Sequence, residues 1–172
     1  IAGMNGLHML EADRLEMDRI ARSGNHQGVI LKVDPFQYSS LRELADRAEK
    51  KAKAMEAANS AAARIAARPL FIALDGVTDP QNLGAVIRSA AAFGANGVIL
   101  PERRSASVNA AAWKVSAGAA AHMPVARVVN LTKAIEGLKE RGYYVVGLDG
   151  GGDKLVGETS FETDPLVVVL GS

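Results

Sequence analysis

A chain of 172 residues can bury a sizeable core without disulfides or metals, and its 48% hydrophobic and 23% charged residues are an ordinary globular balance. With no cysteine, a disulfide scaffold and a thiolate metal site are both excluded, which fits a cytosolic protein. The 20 basic and 19 acidic residues leave a net charge of +1, so any affinity for nucleic acid must come from a local patch rather than from bulk charge.

The opening IAGMNGLHMLEAD lacks a basic region followed by an apolar run, and no apolar stretch in the chain is long enough to span a bilayer. Residues 5–22 mix acids, bases and apolar residues as a short helix does, with Gly24-Asn25 as punctuation. GVILKV, residues 28–33, reads as a strand ended by Pro35. Residues 40–67 are Ala-rich, charged and free of Gly and Pro, so helix propensity is high throughout. Leu41, Leu44, Ala45 and Ala48 form a narrow apolar stripe, and little after Lys50 asks to be buried. The expected organisation is a small N-terminal unit (1–39), a helical linker with a mobile middle (40–68) and a larger domain (69–172).

From Pro69 the pattern alternates strand and helix. Strands are expected at Leu70–Leu74, Val98–Leu100, Val125–Val129, Tyr143–Leu148 and Leu166–Leu170. Helices are expected at Leu83–Phe93, at 107–121, and at Leu131–Arg141 with Thr132 as its cap. Apolar strands alternating with helices predict an α/β domain with a parallel sheet flanked by helices.

Ligands of such sheets sit at the carboxyl ends of the strands. Three stretches reach that edge: residues 75–82, the DGGGD run at 149–153, and whatever follows Leu170. The glycines at 147 and 150–152 let backbone approach a flat ligand, but a flexible turn explains them more simply. In DPQNLG, residues 79–84, Asn82 suits a helix N-cap whether or not it also has a functional role. Arg88 lies six residues on, in a helix of small and apolar residues. It either faces solvent or is held at a site, where its planar fork suits bidentate contact with phosphate.

The stretch LDGVTDPQNLGAVIRSAAAFGANGVIL, residues 74–100, resembles the first motif of the SpoU (TrmH-like) family of the SPOUT methyltransferase superfamily, with Asn82, Gly84 and Arg88 matching its polar core. KVSAGAA (114–120) resembles the family's following helix, and LVVVLGS (166–172) the opening of its second motif. NHQGV (25–29) and IAGMN (1–5) resemble the end and the start of the small substrate-binding domain found in the large-subunit rRNA guanosine methyltransferases. The interval from Asn5 to His26 is short for that domain. The family's second motif continues beyond its Gly-Ser pair, and a third motif follows, so further sequence is expected after Ser172.

The resemblance implies a fold completed by a C-terminal trefoil knot, a homodimer, S-adenosylmethionine as cofactor, and methylation of a ribose 2′-hydroxyl in RNA, rRNA before tRNA. It implies Arg88 and Asn82 as catalytic residues, and Gly147, Leu148, Leu170 and Gly171 as cofactor-binding residues. Because the methyl donor carries its own activation as a sulfonium, no metal is called for. Arg103 and Arg104, at the edge of the expected site, are candidates for RNA phosphate contact, with solvated surface charge as the plainer explanation. A structural hydrogen bond in the HQG turn is the simpler role for His26, and packing the simpler role for Trp113. Two other functions compete. A nucleotide-binding oxidoreductase is disfavoured because no G-x-G-x-x-G follows the first strand, and a non-catalytic RNA-binding module would show no methyl transfer.

Overall fold

The computed structural model describes residues 6, 8–22, 26–56, 60–155, 158–159, 161 and 164–171. The opening IAGMN, the turn expected at Gly24-Asn25, the centre of the expected linker at 57–59 and Ser172 lie outside the described residues. The chain divides into two compact units, Ile1–Pro35 and Phe36–Ser172.

In the first unit, helix α1 (Arg14–Ala21) starts where Asp13 accepts a hydrogen bond from the Glu16 backbone N–H and stops at Arg22, which is left-handed. The strand expected at 28–33 does not form. Val29, Leu31 and Val33 are exposed and, among the described residues, join no ladder. β-branched composition supplies propensity, but a strand also needs a partner edge for its backbone groups. His26 behaves as expected for a turn residue. Its Nδ1 accepts from the Gly28 N–H at 3.1 Å, so Nε2 carries the proton and donates to Asp18 at 3.1 Å.

The second unit is a three-layer α/β fold. Its strands are β1 (Leu70–Asp75), β2 (Gly97–Pro101), β3 (Val125–Val128), β4 (Tyr144–Leu148) and β5 (Leu166–Gly171), all parallel, in the order β3-β2-β1-β5-β4. Its helices are α2 (Leu41–Glu56), α3 (Ala61–Ala67), α4 (Pro80–Ala92), α5 (Ala110–Val115) and α6 (Leu131–Glu140). Alternation along the strands sends Leu74, Val98, Leu100 and Val125 to one face, against Leu83, Ile87 and Ala90 of α4 and Ala112 of α5. It sends Phe71, Ala73, Ile99, Ala126 and Val167 to the other, against α2 and Leu138 of α6.

Helix α2 revises the expected organisation. Leu44, Ala45 and Ala48, the stripe visible in the sequence, are buried against Phe71, Ile99 and Val167. This helix is therefore a layer of the sheet domain, not a solvated linker, because a narrow stripe of small residues lets it lie close to the sheet. Arg141, beyond the end of α6, holds it there with a bidentate pair to Glu49 (2.8 Å to each oxygen) and a further bond to Asp46.

Three local readings also change. Asp79, not Asn82, is the N-cap of α4, accepting from the Gln81 N–H at 2.8 Å, with Pro80 in the first turn. Asn130, not Thr132, caps α6 through the Lys133 N–H at 2.9 Å. The helix expected over 107–121 breaks into α5 and a 3-10 turn at Ala119–Ala121. Ala117 and Gly118 between them are left-handed, and the fully buried Ser116 bridges the break, donating to the Trp113 carbonyl and accepting from the Ala120 N–H. Helices α4 and α5 meet at very short range. A Cβ added at Gly84 would lie 2.4 Å from the Ala112 carbonyl oxygen and 2.9 Å from the Val115 Cβ.

Candidate active site at the carboxyl edge of the sheet

Because every strand is parallel, all five carboxyl ends face one edge. The four residues expected to bind cofactor come together there. Leu148 pairs in register with Leu170, Gly147 lies across from Val169, and Gly171 from Asp75 of β1. Leu148 and Leu170 point to the α4 face, while Gly147 and Gly171 fall on the opposite face by alternation. Among the described residues, a Cβ at either glycine would meet nothing within 4 Å, so neither is covered by them. Leu148 remains 41% exposed, an apolar surface left uncovered by the described residues at the end of its strand. The DGGGD run after β4 is a tight turn. The Asp149 carboxylate accepts from the Gly151 N–H at 2.9 Å, and its carbonyl from the Gly152 N–H at 3.1 Å.

Asn82 and Arg88 both lie on α4 and both are exposed. The structure does not join them by a hydrogen bond. Six residues on an α-helix put them roughly 120° apart around the axis and about 9 Å apart along it. Asn82 stands at the third helical position, near the sheet edge. Arg88 stands about 12 Å along the axis from Pro80. Among the described residues, none makes a hydrogen bond or ion pair with the Arg88 guanidinium. Its fork is thus available to an outside anion.

Arg103 and Arg104 are exposed on the loop after β2. This loop is tied at several points. The Glu102 N–H donates to the Val128 carbonyl at 2.9 Å, Ser105 Oγ donates to the Pro101 carbonyl, and the Ala106 N–H donates to the Val77 carbonyl at 2.8 Å, in the loop after β1. Two residues of this corner, Tyr38 and Arg127, are not among the site residues expected from the sequence. The signal was present, since Arg127 is a lone charge in the apolar strand VARV, on the parity that faces α4 and α5. Trp113 packs edge-on against Phe36 at 6.1 Å between ring centroids, in keeping with a packing role.

A cleft of about 350 Å³ lies elsewhere, in the first unit, lined by Arg14, Met17, His26, Gln27 and Gly28. Both ring nitrogens of its histidine are already engaged, so chemistry is better sought at the sheet edge. Among the described residues, no group of three or more metal-ligating side chains occurs and no helix is long and apolar enough to cross a membrane.

Comparison with known proteins identifies this architecture. Residues 69–172 match the model of the SpoU rRNA Methylase family. The chain belongs to that family. Residues 1–39 match a second model, RNA 2′-O ribose methyltransferase substrate binding. The chain is 48% identical over 172 residues to an uncharacterized tRNA/rRNA methyltransferase of Mycolicibacterium vanbaalenii, covering 100% of this chain and 50% of that protein. A similar protein of Mycobacterium ulcerans is 46% identical over 171 residues, with 99% and 50% covered. The chain thus spans about half the length of the curated relatives it matches. Among solved structures, the SpoU methyltransferase AviRb from Streptomyces viridochromogenes in complex with AdoMet superimposes with a TM-score of 0.55 at 29% identity, over 60% of this chain and 40% of that one. An AdoMet-bound rRNA methyltransferase from Sinorhizobium meliloti gives a TM-score of 0.53 at 30% identity, over 59% and 38%.

Proposed function

We propose that this SpoU-family chain is part of an S-adenosylmethionine-dependent RNA methyltransferase that methylates a ribose 2′-hydroxyl, with rRNA as its substrate. The observation that carries the reading is the register at the sheet edge, where Leu148 and Leu170 lie side by side and no described residue crowds Gly147 or Gly171. Apolar side chains beside unobstructed backbone fit a flat, partly apolar adenosine moiety. The ribose assignment is supported by the match of residues 1–39 to a ribose methyltransferase substrate-binding model.

When bound, S-adenosylmethionine supplies a methyl group already activated on a sulfonium. The chain's residues then have to bind, align and manage a proton. Alignment alone is worth about 7 kcal/mol or more in favourable cases. A ribose hydroxyl is a poor nucleophile near neutral pH, so its developing alkoxide must be stabilised or its proton removed. Free arginine is a very poor base. Arg88, exposed and without a partner among the described residues, is better suited to gripping the phosphate of the target nucleotide and offsetting alkoxide charge. Asn82, at the edge end of the same helix, has the amide to orient the ribose. The same reading includes the trefoil knot and a homodimer. The exposed Phe93 at the end of α4 and the partly exposed Trp113 on α5 supply apolar surface for such contact, and light scattering that returned a monomer at micromolar concentration would remove the dimer.

The test is methylation of total rRNA and total tRNA by the full-length protein with labelled donor. The expected product is an alkali-resistant dinucleotide from rRNA, the mark of a 2′-O-methyl group. Label on a base, or in tRNA alone, would replace the finer assignment. Absence of transfer to either RNA would overturn the reading.

A further inference from the structure

The corner where β2 and β3 end holds an arrangement that the reading above does not use. Tyr38 lies beside the β3 edge, anchored by the Ser39 N–H donating to the Val125 carbonyl at 2.8 Å. The Tyr38 hydroxyl accepts from the Val108 N–H at 3.0 Å, and its ring meets Phe36 edge-on at 5.2 Å. The Arg127 guanidinium stacks over that ring, 4.9 Å from its centroid. Its Nη2 donates at 2.9 Å to the carbonyl of Glu102, the first residue of the loop that carries Arg103 and Arg104. The Glu102 N–H is bound to the Val128 carbonyl, so this residue is held through both its backbone groups. Arg104 itself is left-handed, φ 57°. Glycine or asparagine would take that conformation more cheaply, by roughly 1 kcal/mol or more. The loop therefore holds an arginine in a strained backbone while its side chain points to solvent.

We propose that Arg127 is a positioning residue for RNA. From the Tyr38 ring it fixes the Glu102 carbonyl and so presets the backbone from which Arg103 and Arg104 reach phosphates. The inference rests on the proposed RNA methylation and adds to it which residues set the RNA grip. A loop fixed before binding loses less conformational freedom on contact, so each arginine retains more of its interaction with phosphate. Arg127 reaches the RNA only through the loop. Its removal should weaken RNA binding but matter little once the two loop arginines are gone.

The experiment is a double-mutant cycle in the full-length protein, with protein-free bacterial rRNA as the binding probe at fixed salt. R103A/R104A is expected to weaken binding by two charged contacts, and R127M by roughly tenfold, comparable to one charge-assisted contact. In R127M, kcat at saturating RNA and the affinity for S-adenosylmethionine stay at parental values, so the loss falls on KM for RNA. R127M placed on R103A/R104A should add less than about twofold, within the scatter expected of uncoupled changes. Additive losses would overturn the proposal, because Arg127 would then act on RNA independently of the loop. So would a parental KM in R127M beside a weakened R103A/R104A. Parental binding by R103A/R104A would remove the loop arginines from the RNA site and the proposal with them, while methyl transfer in the same preparation would still stand for the broader reading. Should R127M lose its cooperative melt, Y38L takes its place, removing the ring under Arg127 with the same outcomes expected.

Discussion

Replacing Gly84 with alanine isolates the contact that fixes α4 against α5. The new Cβ would lie 2.4 Å from the Ala112 carbonyl oxygen, and ordinary contact needs about 1 Å more. The obstacle is backbone, so no rotamer change relieves it, and a second clash follows at 2.9 Å with the Val115 Cβ. The Ala112 carbonyl also accepts from the Ser116 N–H at 2.9 Å, so moving α5 pulls on its last turn. Overpacking of this kind costs about 1–3 kcal/mol, and the upper end applies where backbone must shift. Alanine's better helix propensity returns about 1 kcal/mol. The net expectation is a loss of about 2 kcal/mol, which at this chain length lowers Tm by roughly 4–8 °C. Gly137 in α6 is the matched control. A Cβ there meets none of the described residues within 4 Å, so Gly137→Ala should stabilise by about 0.4–1 kcal/mol. Calorimetry and urea titration of both variants give the two signs. Parental or higher stability in Gly84→Ala would refute the close-crossing explanation, as would a fall in Gly137→Ala of similar size.

Three further predictions follow from the same geometry. Arg88→Ala should abolish most methyl transfer while S-adenosylmethionine affinity, measured by calorimetry, stays nearly intact; Arg88→Lys should restore little, since a point charge cannot reproduce a bidentate fork, and near-normal turnover in either would take Arg88 off the catalytic list. Asp79→Ala should cost about 1 kcal/mol of stability by removing the α4 cap, whereas Asn82→Ala should leave the urea midpoint nearly unchanged and depress methyl transfer; the reverse ranking in stability would return the cap to Asn82. Burial raises the Tyr143 phenol above its ordinary value, and the charge of the nearby Glu49 carboxylate adds to the rise, although its hydroxyl meets hydrogen-bond geometry with none of the described residues. A raised folded value means the neutral form is favoured, so this stabilisation is complete below about pH 10 and is lost as pH climbs above it. Urea midpoints taken between about pH 8 and 11 should fall at the alkaline end in the parent and flatten in Tyr143→Phe, and equal slopes would refute the assignment.

The sheet domain was legible because apolar runs and glycine punctuation mark buried parallel strands directly. All five expected strands formed, each within a residue of its expected ends. What failed was decided by contacts that no local pattern carries. GVILKV has strand composition, yet among the described residues it finds no edge to pair with. The 107–121 stretch has helical composition, but burying Ser116 beside α4 and placing Ala117 and Gly118 in the left-handed region breaks it in two. The cap of α4 went to Asp79 rather than Asn82 because Pro80 suits the first helical turn, a signal present in the sequence itself. Helix α2 shows the opposite error. Its stripe was visible, but a polar helix between two units reads as a linker until the surface it covers is known.

The candidate site was legible to a different degree on each element. The strand-end residues came together because parallel register places neighbouring carboxyl ends side by side, so position along a strand predicts position at the edge. Helix residues carry no such guarantee. Asn82 and Arg88 are close in sequence, yet helical geometry separates them by about 9 Å along the axis and a third of a turn around it. In the proposed reaction a nucleotide would have to span that distance, with its ribose near Asn82 and a phosphate nearer Arg88. Gly84 lies between them and sets how closely α4 approaches α5. The polar core of the motif is thus two exposed side chains and one absent side chain. The glycine's contribution is the position of the helix that presents the other two, and no reading of side-chain chemistry alone would assign it one.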